Sequence, residues 1–132
     1  MAQNTRPAGI LSGLPPQLSK ELFAGAQPVR LDADQVLFLA GDAGDGCYRV
    51  EQGLLKVSIV SPSGSERILA ILGPGSIVGE LAMLDGLPRS ASVAALRGSE
   101  LTFVSRTKFE EYAERRPEFY KHLVKLLASR LR

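Results

Sequence analysis

The sequence has very few of the residues that build metal centres and disulfide frameworks. Its 132 residues include one cysteine, Cys47, and one histidine, His122. A single cysteine excludes a disulfide framework and a multi-cysteine zinc or iron–sulfur site. A single histidine argues against metal chemistry on a β-roll, which needs several ligands. We therefore expect no metal and no resident cofactor, and we interpret Cys47 as a small structural residue and His122 as a surface residue.

Long apolar runs are also missing. The longest, such as VLFLA and ILAIL, span about five residues, far fewer than a membrane helix needs. The N-terminal stretch MAQNTRPAG lacks the apolar centre of a signal peptide. The net charge of +2 is too small to argue for nucleic acid or a membrane surface as a partner. The sequence therefore predicts a cytoplasmic domain that does not contact a membrane.

No group of residues supports catalysis. A serine nucleophile would need His122, which lies far along a predicted helix and has no partner acid in the pattern. Glu80 and Asp85 could form a carboxylate pair for hydrolysis, but Asp85 adjoins Gly86 in a turn, which makes a shared geometry poor. The sequence therefore predicts a binding protein and not an enzyme.

The middle of the chain predicts a mainly-β fold, a jelly-roll-like β-roll. Strand-like runs recur at intervals of about ten residues between Gln27 and Ser105, with turn residues between them. A short helix is expected over residues 15–26. We expect residues 1–13 to be a flexible N-terminus and residues 14–132 to be one domain. The predicted loops and turns are residues 41–46, 61–65 and 72–76.

The last quarter of the chain changes to a helical period. Thr107 and Glu110 form a possible capping box for one helix, and Pro117 can begin a second helix over residues 116–132. The second helix carries two apolar stripes: Phe119, Leu123 and Leu126, and beside them Tyr120, Val124, Leu127 and Leu131. One stripe would pack on the β-roll and the other on a partner helix in a homodimer. The pattern alone equally allows both stripes to pack within one chain.

The stretch GELAMLDGLPRSASV, residues 79–93, places one acid and one base around an apolar turn. A helical turn after Gly79 would offer unpaired amides to an anion, and Arg89 and Ser90 would add a guanidinium and a hydroxyl. An acid beside a phosphate must serve another group, and a carboxylate is a good acceptor for a ribose hydroxyl. Glu80 and Arg89 together therefore suggest a nucleotide site; the alternative is that they pair with each other on the surface.

This stretch resembles the phosphate-binding cassette of the cyclic-nucleotide-binding domain in the cAMP receptor protein/FNR family. The matching residues are Gly79, Glu80, Leu81, Ala82, Arg89, Ser90 and Ala91. The resemblance extends upstream through Gly41-Asp42, Asp45, Tyr48, Val50, Gly53, Val57 and the turn Leu72-Gly73-Pro74-Gly75. Downstream, Ser105, Phe109, Pro117 and Leu131 fall in a run that resembles the family's hinge helix and dimerisation helix.

The resemblance implies a sensor whose effector is cAMP, or else cGMP. Glu80 would accept a hydrogen bond from the ribose 2′-hydroxyl, Arg89 would neutralise the cyclic phosphate, and Ser90 would bind a phosphate oxygen. Gly79, Leu81 and Ala82 would line the same turn, and Ala91 would complete the site. Binding would pull the cassette inward and shift the C-terminal helices.

The resemblance also implies an output outside this chain. The polar residues that reach the purine in the cAMP receptor protein would fall just past Arg132, and the DNA-binding domain would come later still. We therefore expect DNA as a partner only through a domain that this chain does not contain. Two alternatives stay open: the same roll could sense a different effector or none, or it could be the regulatory domain of a kinase or a channel.

Overall fold

The computed structural model describes residues 7–132, and within them the chain forms eight strands in two four-stranded antiparallel sheets. The strands are β1 Gln27–Leu31, β2 Val36–Phe38, β3 Gly46–Gln52, β4 Leu55–Val60, β5 Glu66–Leu72, β6 Ile77–Val78, β7 Ser92–Ala95 and β8 Ser99–Ser105. One sheet has the order β1-β8-β3-β6 and the other β2-β7-β4-β5. The predicted mainly-β, jelly-roll-like fold is confirmed.

The helices lie at the two ends of this part of the chain and at one point between strands. They are a 3₁₀ helix at Ile10–Gly13 and the α-helices α1 Pro16–Leu22, α2 Glu80–Asp85, α3 Arg106–Arg115 and α4 Glu118–Leu131. Because α2 follows directly on β6, the cassette begins at the end of a strand. None of the helices in residues 7–132 combines the length and the apolarity needed to cross a membrane.

The apolar core has two parts. The part between the sheets consists of Leu31, Val50, Leu55, Leu72, Val78, Val93, Ala95 and Leu101. The other part joins one sheet to the helices through Ile10, Leu11, Leu14, Leu18, Leu22, Phe23, Cys47, Ile77, Met83, Val104, Phe109, Tyr112, Ala113, Phe119 and Leu123. The sheet containing β3 and β8 is therefore covered on both faces, and it ties the helices to the roll.

The observed turns lie close to the predicted positions. The hairpin turn at 61–65 is closed by a hydrogen bond from Ser61 N to Ser65 O of 2.9 Å. The predicted tight loop at 72–76 connects β5 to β6. Two boundaries differ, since β3 already begins at Gly46 and the helix predicted over 15–26 ends at Leu22.

The N-terminal segment differs from the prediction of a flexible stretch over residues 1–13. Residues 1–6 lie outside the described residues. Ile10 and Leu11 are buried in the core within the 3₁₀ helix, and Ile77 N donates to Ala8 O at 2.9 Å. The prediction is wrong for the 3₁₀ helix, because its two apolar side chains find cover on β6 and α4, which local sequence does not show.

The first C-terminal helix begins at a different residue from the one predicted. The cap of α3 is Ser105, whose hydroxyl accepts from Lys108 N at 3.1 Å, so the predicted capping box at Thr107 and Glu110 is wrong. The helix begins two residues earlier because Ser105 keeps the extended backbone that a cap needs.

The two stripes of α4 have different surroundings. Phe119 and Leu123 are buried in the core, and Leu126 packs against it. The members of the second stripe, Tyr120, Val124, Leu127 and Leu131, are exposed. Only the first stripe therefore packs within this chain, and the partner helix for the second stripe remains a prediction.

Candidate functional site

A cavity of about 240 Å³ lies between the cassette and the sheet that contains β4 and β5. All seven predicted site residues line it: Gly79, Glu80, Leu81, Ala82, Arg89, Ser90 and Ala91. The other lining residues are Ala8, Gly9, Phe38, Val57, Ala70, Leu72, Ile77, Val78 and Val93. The fold thus brings together the acid and the base that the sequence separates by nine positions.

Gly79 allows the cassette to turn from β6 into α2. Its backbone has φ +80° and ψ +8°, in the left-handed region that glycine adopts without strain. A Cβ atom on this residue would collide with Nη1 of Arg89. The same nitrogen donates to Gly79 O at 2.8 Å. Glycine at this position therefore lets the guanidinium lie directly against the backbone of the cassette.

Arg89 is held in place at its backbone and on one side of its guanidinium. Its N donates to Asp42 O and its O accepts from Gly41 N, both at 2.8 Å. The guanidinium carbon lies 4.2 Å from the centroid of the Phe38 ring, a cation–π geometry. The side chain is buried, and its Nε has no hydrogen-bond partner among the residues that the structure describes. A buried donor without a partner is costly unless an acceptor arrives.

Glu80 has a different partner from those that the sequence suggested. Its Oε2 accepts from Ile10 N at 2.7 Å and its Oε1 accepts from Leu11 N at 2.6 Å. No ion pair joins Glu80 to Arg89 within residues 7–132, so the alternative of a surface pair is wrong for this structure. The carboxylate instead holds the start of the 3₁₀ helix against the cassette.

Burial dominates the electrostatics of Glu80. It raises the pKa of this carboxyl above 4.5, and the amides of Leu11 and Ile10 and the positive charge of Arg130 act in the opposite direction. Each carboxylate oxygen can accept more than one hydrogen bond. The two amides therefore leave acceptor capacity for a hydroxyl on the cavity side.

The remaining site residues add little charge. Ser90 and Leu81 are exposed, Ala91 is half-buried, and Ala82 is buried. Among the lining residues in the described part of the chain, only Glu80, Arg89 and Ser90 have side chains that carry nitrogen or oxygen. The cavity therefore combines one polar corner with apolar walls from β4, β5 and β7, a composition typical of sites for small amphipathic molecules.

Cys47 lies in the core close to this corner but has no reactive character. It is fully buried, and burial, together with the negative charge of Glu80, raises the pKa of its thiol to about 12, against the opposing effect of Arg89. A thiol in this state is not a nucleophile at neutral pH.

Sequence reasoning missed three contributors to the site. The N-terminal residues Ala8 and Gly9 form part of the cavity wall, and the Glu80 partners lie 69 and 70 positions away in the sequence. Phe38, whose ring lies under the guanidinium of Arg89, is not among the predicted site residues. No local pattern marks any of these residues, since each gains its role from tertiary contact with the cassette.

The comparisons with known proteins agree with this geometry. A family model described as "Cyclic nucleotide-binding domain" matches residues 28–116. A "CRP-like cAMP-activated global transcriptional regulator" of Mycobacterium tuberculosis is 32% identical over 125 residues, covering 95% of this chain and 56% of the relative. A "Cyclic AMP receptor protein" of Thermus thermophilus is 38% identical over 96 residues, covering 73% of this chain and 44% of the relative. The chain thus spans about half the length of these two curated relatives.

A solved structure gives the same result. The N-terminal domain of a transcriptional regulator from Streptomyces coelicolor superposes with a TM-score of 0.81 at 34% sequence identity. The match covers 92% of this chain and 85% of that one. The likeness therefore extends over both sheets and most of the helical part.

Proposed function

Because the chain belongs to the cyclic nucleotide-binding domain family, we propose that the cavity at the cassette binds a cyclic nucleotide and that cAMP is its effector. Two relatives named for cAMP support this choice. The main support for the proposal is that the guanidinium of Arg89 is buried and that its Nε has no hydrogen-bond acceptor among residues 7–132. A cyclic phosphate is an anion that would supply the missing acceptor and the missing charge.

The phosphate subsite consists of groups around Arg89. Gly79 leaves the start of α2 open to a ligand, and no side chain of residues 7–132 caps the first amides of this helix. Ser90, next to Arg89, offers an exposed hydroxyl. Guanidinium, amides and hydroxyl together would contact several oxygens of one phosphate.

The ribose and the base would occupy the rest of the cavity. Glu80 would accept from the 2′-hydroxyl with the lone pairs that its two amide partners leave unused. The purine would lie against Val57, Ala70 and Leu72, which offer apolar contact without hydrogen bonds. These walls give little basis for discriminating adenine from guanine, so cGMP is expected to bind as well.

The domain would act by binding alone and would regulate something else. The described site offers no nucleophile or acid–base pair to a bound ligand, and Cys47 is held as an inert thiol. Closure of the cassette on the nucleotide would bias α3 and α4 and, through them, an output domain. The relative from Mycobacterium tuberculosis is named a transcriptional regulator, so the output proposed here is the regulation of transcription.

The exposed stripe of α4 supports a homodimer. Val124 and Leu131 are 64% and 89% exposed, and with Tyr120 and Leu127 they follow one face of the helix. Two such faces would cover each other in a parallel or antiparallel helix pair. Sedimentation velocity of the full chain over a range of concentrations tests this, and a monomer at every concentration would contradict it.

Calorimetric titration of the full chain tests the proposed ligand. We expect saturable heat with cAMP and cGMP and little with 5′-AMP, whose open phosphate carries more charge and a different shape. Circular dichroism establishes that the sample is folded before titration. If a folded sample gives no heat with either cyclic nucleotide, the ligand assignment is wrong and the same roll serves another effector.

A further inference from the structure

Arg106, the first residue of α3, reaches across to the end of α2. Its Nε donates to Met83 O at 2.9 Å and its Nη2 donates to Ala82 O at 2.8 Å. Arg106 does not line the cavity at the cassette. Its contacts are therefore with the protein that surrounds the site and not with a ligand in it.

The two carbonyls suit a guanidinium. The last carbonyls of a helix lack partners within the helix, and the negative end of the helix dipole favours a cation there. Ala82 O also accepts from Gly86 N at 3.0 Å, so the guanidinium uses the second lone pair of this carbonyl oxygen. An arginine can serve two neighbouring carbonyls at once because its donors form a planar fork, whereas a lysine presents a single ammonium.

The backbone of Arg106 makes a third connection. Its N donates to Asp45 O at 2.6 Å. Asp45 belongs to the loop that precedes β3, and Asp42 and Gly41 of this loop form hydrogen bonds with the backbone of Arg89. One residue thus joins the loop behind Arg89, the end of the cassette helix and the start of α3.

The connection continues into α4. Phe109 and Tyr112 of α3 each pack edge-on against Phe119 of α4, with ring centroids 5.4 Å apart. All three side chains are buried. A shift at the start of α3 therefore has a packed path to the C-terminal helix.

From this geometry we infer that Arg106 is a positioning residue that couples movement of the cassette helix to α3 and α4. The inference deepens the proposed function, since the movement it transmits is the closure of the cassette on a cyclic nucleotide. Arg106 connects α2 to α3, whereas the residues of the cassette contact the ligand.

The test compares three variants of the full chain with wild type. Arg106→Met keeps the length of the side chain and removes both hydrogen bonds. Arg106→Lys keeps the charge and can reach only one carbonyl well. Arg115→Met is the matched control, because Arg115 is an exposed residue of the same helix for which no polar contact is found within residues 7–132. Hydrogen–deuterium exchange is measured over α2, α3 and α4, with and without cAMP.

In the ligand-free state, Arg106→Met should raise the exchange rates at the end of α2 and the start of α3 by about tenfold. Arg106→Lys should give a smaller rise, and Arg115→Met should match wild type. Unchanged exchange in Arg106→Met would overturn the inference without reference to any ligand. If Arg106→Met does not fold, the comparison of Arg106→Lys with Arg115→Met decides in the same way.

With cAMP, wild type should change its exchange in α2 and also in α3 and α4. Arg106→Met should keep the change in α2 and lose most of the change in α3 and α4. A full response in α3 and α4 of this variant would overturn the inference. If wild type binds no cyclic nucleotide in calorimetry, the proposed function fails, and the ligand-free arm still decides whether Arg106 joins the two helices.

Discussion

Glu80 and Arg89 line the same cavity and are buried to nearly the same degree, since they are 6% and 5% exposed. The protein nevertheless supplies hydrogen-bond partners to the two side chains unequally. Both oxygens of Glu80 accept short hydrogen bonds from backbone amides. Among residues 7–132, the guanidinium of Arg89 makes one hydrogen bond, to Gly79 O, and lies over the ring of Phe38, while its Nε has no partner.

The difference separates two ways of using a buried charge. A charge paired with fixed donors belongs to the fold, and removing it leaves those donors unsatisfied. A buried charge with unused donors is a candidate for binding a group from outside the protein. Substitution at Glu80 should therefore affect folding first, and substitution at Arg89 should affect binding first.

The largest expected effect is on ligand binding by Arg89→Ala. Loss of the guanidinium should weaken cAMP binding by about 2–5 kcal/mol, since it removes one partner of a buried charge pair. The free energy of unfolding should change by only about 1 kcal/mol, because one hydrogen bond is lost and an unsatisfied donor goes with it. Calorimetry and urea unfolding measure the two quantities.

Arg30→Ala, at an exposed position of β1, is the control for the loss of a positive charge. It should leave both quantities near those of wild type. If Arg89→Ala unfolds far more easily than wild type and binds cAMP normally, Arg89 belongs to the fold in the same way as Glu80.

Gly9→Ala should give the next largest effect, on the Glu80 side. Gly9 has φ +103°, and a Cβ there would lie 2.5 Å from Ile77 O and 2.8 Å from Oε2 of Glu80. The substitution should push the N-terminal segment off the carboxylate and lower the free energy of unfolding by about 2–4 kcal/mol.

Gly64→Ala is the control that separates the effect of backbone strain from the effect of the close contacts at Gly9. Gly64 has φ +89°, and a Cβ there would have no atom of residues 7–132 within 4 Å. The free energy of unfolding of this variant should fall only by the cost of a left-handed backbone in alanine, about 1–2 kcal/mol. Equal losses in urea unfolding for the two variants would mean that the closeness of Gly9 to Glu80 is unimportant.

A third effect is the pH dependence of Glu80→Gln. Burial raises the folded-state pKa of Glu80 above 4.5, so the folded protein holds this proton more tightly than the unfolded chain. The stability that this provides is complete below 4.5 and is lost as the pH rises through the folded pKa. The advantage of wild type over Glu80→Gln should therefore shrink with rising pH, by about 1.4 kcal/mol per unit of raised pKa.

Urea unfolding of both proteins from pH 4 to pH 7 measures this difference. A gap that widens with rising pH would mean that the amides of Ile10 and Leu11 outweigh burial and lower the pKa instead.

Phe38→Leu should produce the smallest effect. The ring supports the guanidinium of Arg89 at 4.2 Å, and a cation–π contact of this kind contributes about 0.5–2 kcal/mol. Leucine keeps apolar bulk but removes the ring, so cAMP affinity should fall modestly. An affinity unchanged within error would assign the orientation of Arg89 to its backbone bonds and to Gly79 alone.

The parts of the site that are local in sequence could be predicted, and the parts that depend on tertiary contact could not. The cassette is one continuous stretch, so Gly79, Glu80 and Arg89 were recognisable from their spacing and turn chemistry. The contacts made by the backbone amides of Ile10 and Leu11 leave no pattern of side chains in the sequence. The residues around them are mostly polar, and the segment was therefore predicted to be flexible. The same limit applies to α3, where the sequence predicted a cap at Thr107 and the structure has the cap at Ser105, whose backbone is extended.

The anchoring of the 3₁₀ helix by Glu80 bears on where this module can be cut for transplantation into other proteins. The family model begins at residue 28, but the donors that satisfy the cassette carboxylate are Ile10 and Leu11. A sensor grafted from residue 28 onward would carry a buried acid with no donors and a core without its N-terminal cover. A graft that starts before Ala8 would include these donors, so the working boundary of the module lies well upstream of residue 28, where the family model begins.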